Sequence, residues 1–295
     1  MDKVEGRIDH MAADLDGHEL FVAAFGSDMV EKINTRQRTV VGHIRGIKEP
    51  QGLGYIPKSN RLAVASGGDG NVRVYYQDLK LIGMVNSLED ADNVRYDSAQ
   101  DLLYVGYGQG ALAVIDPGKN VKIAEIPLDG HPESFQLERT GKRIFVNVPT
   151  AGEIEVLDRE KRIVLTRWKL TVAGNFPMAL DETNQRLFVG CRGLARLLVL
   201  NTTSGRIVAD LNACGDSDDL FYDAANREIY LSGGDGCSSV FEVDADSYKE
   251  SYTITTPLGS RTSLFVPASR TLYVAVPHRG SQQAEILIFK AMMKL

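Results

Sequence analysis

The chain of 295 residues has few cysteines, a single tryptophan and no long apolar run. Its three cysteines are too few for a disulfide framework, and they include no Cys-x-x-Cys pair. No apolar stretch approaches the roughly 20 residues that a membrane-spanning helix needs. The N-terminal segment MDKVEGRIDH lacks the apolar stretch of a signal peptide, which leaves a cytoplasmic protein or an already processed chain.

An excess of positive charge is also missing, because 33 Lys and Arg face 39 Asp and Glu, a formal net charge of −6. This balance disfavours binding of nucleic acid through its phosphates, although Arg95, Arg192, Arg261 and Arg279 could make a local basic rim. Familiar catalytic motifs are absent too: the sequence has no Gly-x-Ser-x-Gly, no His-Glu-x-x-His and no phosphate-binding P-loop.

What the sequence does contain is an internal repeat. Apolar triplets recur along the chain, and each starts six residues after an anchor position. The anchors are spaced by 41 to 43 residues and are Asp14, Ile56, Asp97, Glu138, Asp181, Asp223 and Val266. The triplets are Leu20-Phe21-Val22, Leu62-Ala63-Val64, Leu103-Tyr104-Val105, Ile144-Phe145-Val146, Leu187-Phe188-Val189, Ile229-Tyr230-Leu231 and Leu272-Tyr273-Val274.

Each repeat reads as four short β-strands. The triplets are rich in β-branched and aromatic residues, and Gly-rich turns such as Gly67 to Gly70 separate them from a second apolar segment. The pattern predicts an all-β fold, a seven-bladed β-propeller of four-stranded antiparallel blades. We place one domain at 1–295, with blades at approximately 6–46, 47–88, 89–129, 130–172, 173–214, 215–257 and 258–295. The two chain ends are expected to share the last blade, whose outer strand would fall at or before Met1.

Several of these segments resemble a known repeat. Glu49-Pro50-Gln51-Gly52, with the following segments Asn60 to Ala65 and Gly70 to Val74, is similar to the YVTN repeat. Leu103 to Gly106 with Ala113 to Asp116 resembles it again. At the level of the repeat the whole chain resembles the YVTN-repeat (YncE-like) family of bacterial seven-bladed β-propellers. The resemblance implies the propeller fold and a periplasmic or secreted origin, but it implies no activity.

The candidate ligand site follows from the repeat. In propellers the loops that enter the innermost strands share one face around the axis, where ligands usually bind. The positions five and four residues before each anchor should converge there, and among them Arg261 is the only cation. We expect it to pair with Asp9 or Asp218. The predicted ligand-binding residues are Asp9, His10, Asp92, Asn93, Glu133, Asp218, Asp219 and Arg261, with His131 and His278 on the rim.

The density of carboxylates on this face points to a cation. Carboxylates that lie close together raise one another's pKa unless a positive charge neutralises them. One interpretation is a hard divalent cation such as Ca²⁺, bound by Asp9, Asn93, Glu133 and Asp219. The other is that these acids cap strand ends and line a wet tunnel. A site of three histidines is not expected, because His131 would lie across the ring from the other two.

All three cysteines map to the same face. Cys191 and Cys214 lie on neighbouring loops, so we predict that they form a disulfide in an oxidising compartment and leave Cys237 free. Three buried thiols are the alternative.

Two hypotheses of function follow. The first is a non-enzymatic, monomeric binding propeller that captures a small polar ligand or a protein partner on its axial face, without nucleic acid and without a membrane span. The second is a metal-dependent hydrolase or lyase that resembles the gluconolactonase-like propellers, which use carboxylate and Asn oxygens at the same place. The only cofactor that either hypothesis involves is a divalent cation.

Overall fold

The structure, a computed structural model, describes residues 1, 3–14 and 18–291. These residues form short β-strands and two 3-10 helices, Phe25–Ser27 and Pro57–Ser59. The strands build antiparallel sheets in chain order, numbered below as blades 1 to 7. Two compact units result, Met1–Pro132 with Pro277–Glu285 as unit 1 and Glu133–Val276 with Ile286–Leu295 as unit 2. In the part of the chain that the structure describes, no helix is long and apolar enough to cross a membrane.

Unit 1 contains blades 1 to 3, each a four-stranded sheet whose neighbouring strands are consecutive in sequence. Blade 1 consists of β1 (Met11–Ala13), β2 (Glu19–Ala24), β3 (Met29–Asn34) and β4 (Thr39–Arg45). Blade 2 consists of β5 (Pro50–Ile56), β6 (Arg61–Ser66), β7 (Asn71–Tyr76) and β8 (Leu81–Val85). Blade 3 consists of β9 (Val94–Asp97), β10 (Leu102–Tyr107), β11 (Ala111–Asp116) and β12 (Val121–Pro127).

Unit 2 contains blades 4 to 7 with the same connectivity. Blade 4 consists of β13 (Phe135–Leu137), β14 (Arg143–Val148), β15 (Glu153–Asp158) and β16 (Ile163–Lys169). Blade 5 consists of β17 (Asn175–Asp181), β18 (Arg186–Cys191), β19 (Arg196–Asn201) and β20 (Ile207–Asn212). Blade 6 consists of β21 (Ser217–Asp223), β22 (Glu228–Gly233), β23 (Cys237–Asp244) and β24 (Ser247–Thr255). Blade 7 has three strands among the described residues, β25 (Ser263–Val266), β26 (Thr271–Val276) and β27 (Glu285–Lys290).

The predicted fold class is confirmed: the chain is all-β, with seven antiparallel blades of the β-propeller type. Every apolar triplet lies in the second strand of its blade and is buried. The triplets are the most regular part of the repeat because the second strand has a neighbouring strand on each side and packs on both faces. In both units their side chains contribute to apolar clusters that are shared by successive blades, such as the one containing Ala63, Val74, Val94 and Leu103.

The acidic anchors have a structural role. They lie at the last residue of each innermost strand or directly after it. Asp97 Oδ1 accepts hydrogen bonds from the backbone N–H groups of Ala99 and Gln100, at 2.9 and 3.3 Å. Asp223 does the same for Ala225 and Asn226. Aspartate recurs at this position because its short carboxylate closes the turn onto its own backbone.

The N-terminus lies against the second segment of unit 1. The Met1 ammonium donates a hydrogen bond to the carbonyl of Ala284, at 2.9 Å, one residue before β27. The other predicted member of this terminal blade, Leu295, lies outside the described residues.

Candidate functional site

Antiparallel connectivity gives each blade two distinct edges. The first strand begins at the same edge that carries the turn between the second and third strands, and we call this the upper edge. The lower edge carries the turn between the first and second strands. The predicted site residues belong to the upper edge, and each unit gathers some of them into a cluster.

In unit 2 the upper edge carries Arg192, Asp216, Asp218 and Arg261, here named the arginine–aspartate cluster. Arg192 Nη2 contacts Asp218, and its Nε lies 3.7 Å from Asp216 Oδ1. Arg261 Nη1 lies 3.1 Å from Asp216 Oδ1, and its Nε lies 3.2 Å from Asp218 Oδ2. Each carboxylate therefore contacts both guanidinium groups. The predicted pairing of Arg261 with Asp218 is present in the structure.

Arg192 is further held by its surroundings. Its guanidinium carbon lies 3.7 Å from the centroid of the Phe176 ring, a cation–π contact. Its Nε also donates a hydrogen bond of 2.7 Å to the carbonyl of Ser217. These two contacts orient the Arg192 guanidinium before a ligand binds. Because the side chain is already ordered, the entropic cost of binding is lower.

The backbone of Asp216 adopts a conformation that recurs at the equivalent residues of other blades, such as Glu49 and Asp90. Its φ is +51°, in the left-handed region, where aspartate is one of the better tolerated residues. Its carbonyl accepts a hydrogen bond of 3.0 Å from the N–H of Gly234. A Cβ atom at residue 234 would lie 2.1 Å from Asp216 Oδ2, so a larger residue there would displace the Asp216 carboxylate.

A disulfide joins Cys214 to Cys237 beside this cluster, with the Cα atoms 5.8 Å apart. The predicted bridge between Cys191 and Cys214 is therefore wrong, and Cys191 is the free cysteine. The cause is the two-residue alternation of a strand. On β18, Cys191 shares a face with Leu187 and Val189 and packs in the apolar cluster that contains Phe145.

Cys214 and Cys237 instead belong to the cluster on the other side of blade 5, together with Phe188. Burial raises the pKa of the Cys191 thiol to about 12. Cys191 therefore remains a protonated, unreactive core thiol at neutral pH.

In unit 1 the upper edge gathers Arg7, Asp9, His10, Asp92 and Asn93, here named the histidine–aspartate cluster. Arg7 Nη2 lies 2.6 Å from Asp9 Oδ2. His10 Nε2 lies 3.9 Å from Asp9 Oδ1 and 3.7 Å from Asp92 Oδ1, so the imidazole stands between the two carboxyls. Asn93 Nδ2 lies 3.4 Å from Asp92 Oδ2. Both acids and the asparagine are buried.

Glycine again permits the close packing. A Cβ atom at residue 52, in β5, would lie 2.1 Å from the carbonyl oxygen of Asp92. Gly52 occupies the same repeat position as His10 and Asn93, and it leaves the space that the backbone of the next blade uses.

The other predicted residues have separate surroundings. Asp219 Oδ2 accepts a hydrogen bond of 2.7 Å from the Ser263 N–H, which ties blade 6 to blade 7. The Glu133 N–H donates to the carbonyl of Asn147, at 3.0 Å. His131 Nδ1 lies 2.6 Å from the carbonyl oxygen of Gly108, and His278 Nδ1 lies 2.8 Å from Glu5 Oε2.

Of the four residues predicted to bind a metal, Asp9 and Asn93 lie in the histidine–aspartate cluster, and Glu133 and Asp219 belong to unit 2. Sequence reasoning placed Arg192 only on a basic rim and did not select Asp216. Both lie in loops outside the two repeat positions used for the prediction. A signal was present, because each loop holds a charge beside a glycine, as in Arg192-Gly193 and Gly215-Asp216.

No protein-family model matches the chain. Over 227 residues it is 27% identical to the uncharacterized protein YncE of Escherichia coli K12, which covers 75% of this chain and 64% of YncE. The YncE protein of Salmonella typhi is 25% identical over 229 residues, with the same coverage. The chain thus matches 64% of the length of these curated relatives.

Solved structures share the fold at low sequence identity. A chain of Kuenenia stuttgartiensis hydrazine synthase superposes with a TM-score of 0.82 at 15% identity, covering 99% of this chain and 97% of that one. U3-55K superposes with a TM-score of 0.85 at 9% identity, covering 97% and 96%. Such identities demonstrate a common fold only. The predicted resemblance is confirmed: the chain is a seven-bladed β-propeller similar in sequence to the YncE proteins, consistent with a YncE-like propeller family.

Proposed function

We propose that this protein is a non-catalytic binding propeller that captures a small polar ligand with a carboxylate group at the arginine–aspartate cluster. The observation that carries the proposal is the pair of guanidinium groups, Arg192 and Arg261, which share two aspartates at the upper edge of unit 2. Guanidinium matches the geometry of a carboxylate and donates two parallel hydrogen bonds to it.

The protein's own carboxylates leave room for such a ligand. The side chain of Asp216 is 38% exposed, against 12% for Asp218. Its contact to Arg192, at 3.7 Å, is longer than a hydrogen bond. Asp218 is therefore the fixed partner of both arginines, and Asp216 is the partner that a ligand carboxylate can replace.

A binding role also fits the chemistry of these groups. Arginine stays protonated at physiological pH, so it cannot serve as a general base, and both aspartates are engaged in ion pairs. The cluster offers positioning and charge complementarity, which are the requirements of a binding site.

The proposal includes an oxidising compartment, periplasmic or secreted. Its support is the Cys214–Cys237 disulfide, because structural disulfides persist in oxidising surroundings and are rare in the cytosol. Trapping thiols by alkylation in cells that produce the protein measures this. We expect one reactive thiol after denaturation, and three would contradict the assignment.

Isothermal titration with succinate, malate and gluconate tests the ligand site. The variants Arg192→Gln and Arg261→Gln should each weaken the best of these ligands at least about tenfold, because a charge-assisted hydrogen bond is lost. Arg196→Gln is the matched control, since Arg196 pairs with Asp210 at 2.7 Å on the outer strands of blade 5. Equal affinities in all three variants, or no saturable binding to the wild type, would overturn the proposal.

The metal-dependent hydrolase or lyase is a second candidate, favoured by one observation in unit 1. Oxygens of Asp9, Asp92 and Asn93 lie together and buried, and the Asn93 Oδ1 atom has no hydrogen-bond partner among the described residues. Such oxygens are the ligands that Ca²⁺ prefers. Titration with Ca²⁺ should then show binding that Asn93→Ala abolishes, followed by calcium-dependent lactone hydrolysis. If neither Ca²⁺ binding nor lactone hydrolysis is observed, the hydrolase or lyase is rejected and the binding propeller is the remaining candidate.

A further inference from the structure

The lower edge of unit 2 contains a solvent-open cavity of about 400 Å³, here named the lower-edge cavity. Its walls come from three successive blades: β13 and the turn after it, β17 and the turn after it, and the end of β21. This volume lies within the range of sites for small molecules. The cavity is at the opposite edge of the blades from the arginine–aspartate cluster, so it is a separate site.

Hydrogen bonds between blades 4 and 5 hold the cavity open. Glu182 Oε2 accepts from the N–H of Arg139 at 2.7 Å, and Glu182 Oε1 accepts from the N–H groups of Thr140 and Gly141 at 3.0 and 3.1 Å. Gln136 Nε2 donates to the carbonyl of Met178 at 2.9 Å. Two walls of the cavity are thus fixed relative to each other in the free protein.

The charge within the cavity is nearly balanced. The carboxylate of Glu182 is occupied by the donors of the neighbouring turn, and that of Asp181 accepts from the N–H and the side-chain amide of Asn184, at 3.1 and 2.7 Å. Arg139 is the one cation among the lining residues. A phosphate or a polyanion would meet two carboxylates and a single guanidinium, and a cation would meet carboxylates that already have donors.

The other lining residues provide both polar groups and apolar surface. Since the nitrogen of Gln136 is engaged, its Oε1 atom is the one that can accept from a ligand, and the hydroxyl of Thr183 is exposed. Leu137, Leu180 and Tyr222 supply half-buried apolar surface. The Tyr222 ring is held in place by Phe188, with the centroids 5.2 Å apart.

From this geometry we infer that the lower-edge cavity binds a neutral carbohydrate of one or two rings. A sugar ring has hydroxyl groups around its rim, which match Gln136 Oε1, the Thr183 hydroxyl and the Arg139 N–H groups. It also has a C–H face, which matches the surface of Tyr222 and the two leucines. A balanced set of donors and acceptors beside a rigid aromatic ring is the combination that such a ligand requires.

Isothermal titration and saturation-transfer NMR with glucose, galactose, mannose, N-acetylglucosamine, maltose and cellobiose test this inference. We expect saturable binding of at least one of them, weakened about tenfold by Gln136→Leu and about threefold by Thr183→Val, as the loss of one hydrogen bond predicts. The control is Thr203→Val, because Thr203 is also an exposed threonine of blade 5 and its hydroxyl lies outside the cavity, where it donates to Gln185 Oε1 at 3.0 Å.

Thr183 is an exposed residue of the turn after β17, so its variant remains informative even if Gln136→Leu alters the packing. Arg261→Gln should leave saccharide binding unchanged, which separates this site from the arginine–aspartate cluster. The inference is overturned if no saccharide binds saturably to the wild type, or if Thr183→Val and Thr203→Val bind alike.

Discussion

The two clusters on the upper edges use charge in opposite ways. In the arginine–aspartate cluster of unit 2, two guanidinium groups balance two carboxylates, and the side chains are partly exposed. In the histidine–aspartate cluster of unit 1, the two carboxyls are buried and share one imidazole, while Arg7 approaches Asp9 from the exposed surface. Balanced, accessible charge favours exchange with a ligand, whereas buried, acid-rich packing serves mainly to join blades unless a cation enters.

The clusters also differ in what fixes them. A disulfide and the close approach of Gly234 fix Asp216 in unit 2, and the close approach of Gly52 fixes Asp92 in unit 1. Both regions therefore depend on a glycine, and the one in unit 2 depends in addition on a covalent bond. Each dependence can be broken separately.

Removing the disulfide should have the largest effect. The double variant Cys214→Ala/Cys237→Ala should lose about 3 kcal/mol of unfolding free energy, because the unfolded chain regains the freedom of the closed loop. Denaturant melts with and without reductant measure this. Cys191→Ala is the control: it should keep the full response to reductant, and an unchanged midpoint in the double variant would contradict the assigned pair.

Gly52→Ala should destabilise unit 1 by about 2 kcal/mol, because the new methyl group would meet the backbone of Asp92 rather than a movable side chain. Gly118→Ala is matched to it, since residue 118 lies in an exposed turn where the nearest atom is an oxygen of the Asp116 side chain. Thermal melts that rank the two variants equally would show that the close approach is not required.

Neutralising one aspartate in each cluster should change stability by different amounts. Asp218→Asn should cost about 1.5 kcal/mol, because two guanidinium groups lose a carboxylate that is mostly buried. Asp92→Asn should change stability by only about 0.5 kcal/mol, since it removes one of two negative charges around His10. Urea titrations of both variants measure the difference, and the reverse ranking would contradict the comparison.

The smallest effects concern pH, and their signs are opposite in the two units. Burial raises the pKa of Glu31 in β3 above its usual value of 4.5, with His43 the largest of the opposing influences. The stability that this group contributes is present below its unfolded pKa and is lost as pH rises through the folded value. Glu31→Gln should therefore stabilise the protein at pH 7 and have little effect in acid.

The pKa of Glu182 shifts in the opposite direction. Burial by itself would raise its pKa, but the hydrogen bonds from Thr140 and from the backbone of the neighbouring turn outweigh this and lower it below 4.5. Its contribution is present above the unfolded pKa and is lost as pH falls through the folded value. Glu182→Gln should therefore destabilise at pH 7, and a pH series of melts on both variants should give slopes of opposite sign.

The sequence predicted the architecture because the repeat depends on local chemistry. Buried triplets recur every 41 to 43 residues, and aspartate stands at four of the seven anchors. Both features follow from strand packing and turn geometry. The predicted contact between Arg261 and Asp218 arose from the same spacing.

Non-local packing was harder to predict. Cys191 and Cys214 are close in chain order, but the side chain of Cys191 points to the opposite face of blade 5, which the repeat pattern does not indicate unless the strand register is known. Asp216 was missed because it lies two residues before the repeat positions used for the prediction. The left-handed backbone recurs at the equivalent residues Glu49, Asp90, Gly174 and Gly259, so the repeat does not distinguish Asp216 from them.

The most direct test of the central claim is an NMR titration that observes the Nε–H groups of arginine side chains. The signals of Arg192 and Arg261, assigned with their glutamine variants, should shift saturably with the carboxylate ligand that titration calorimetry selects. The Arg196 signal should not move. Shifts that are equal for all arginines and follow only ionic strength, or no shift of Arg192 and Arg261, would contradict a ligand site at the arginine–aspartate cluster.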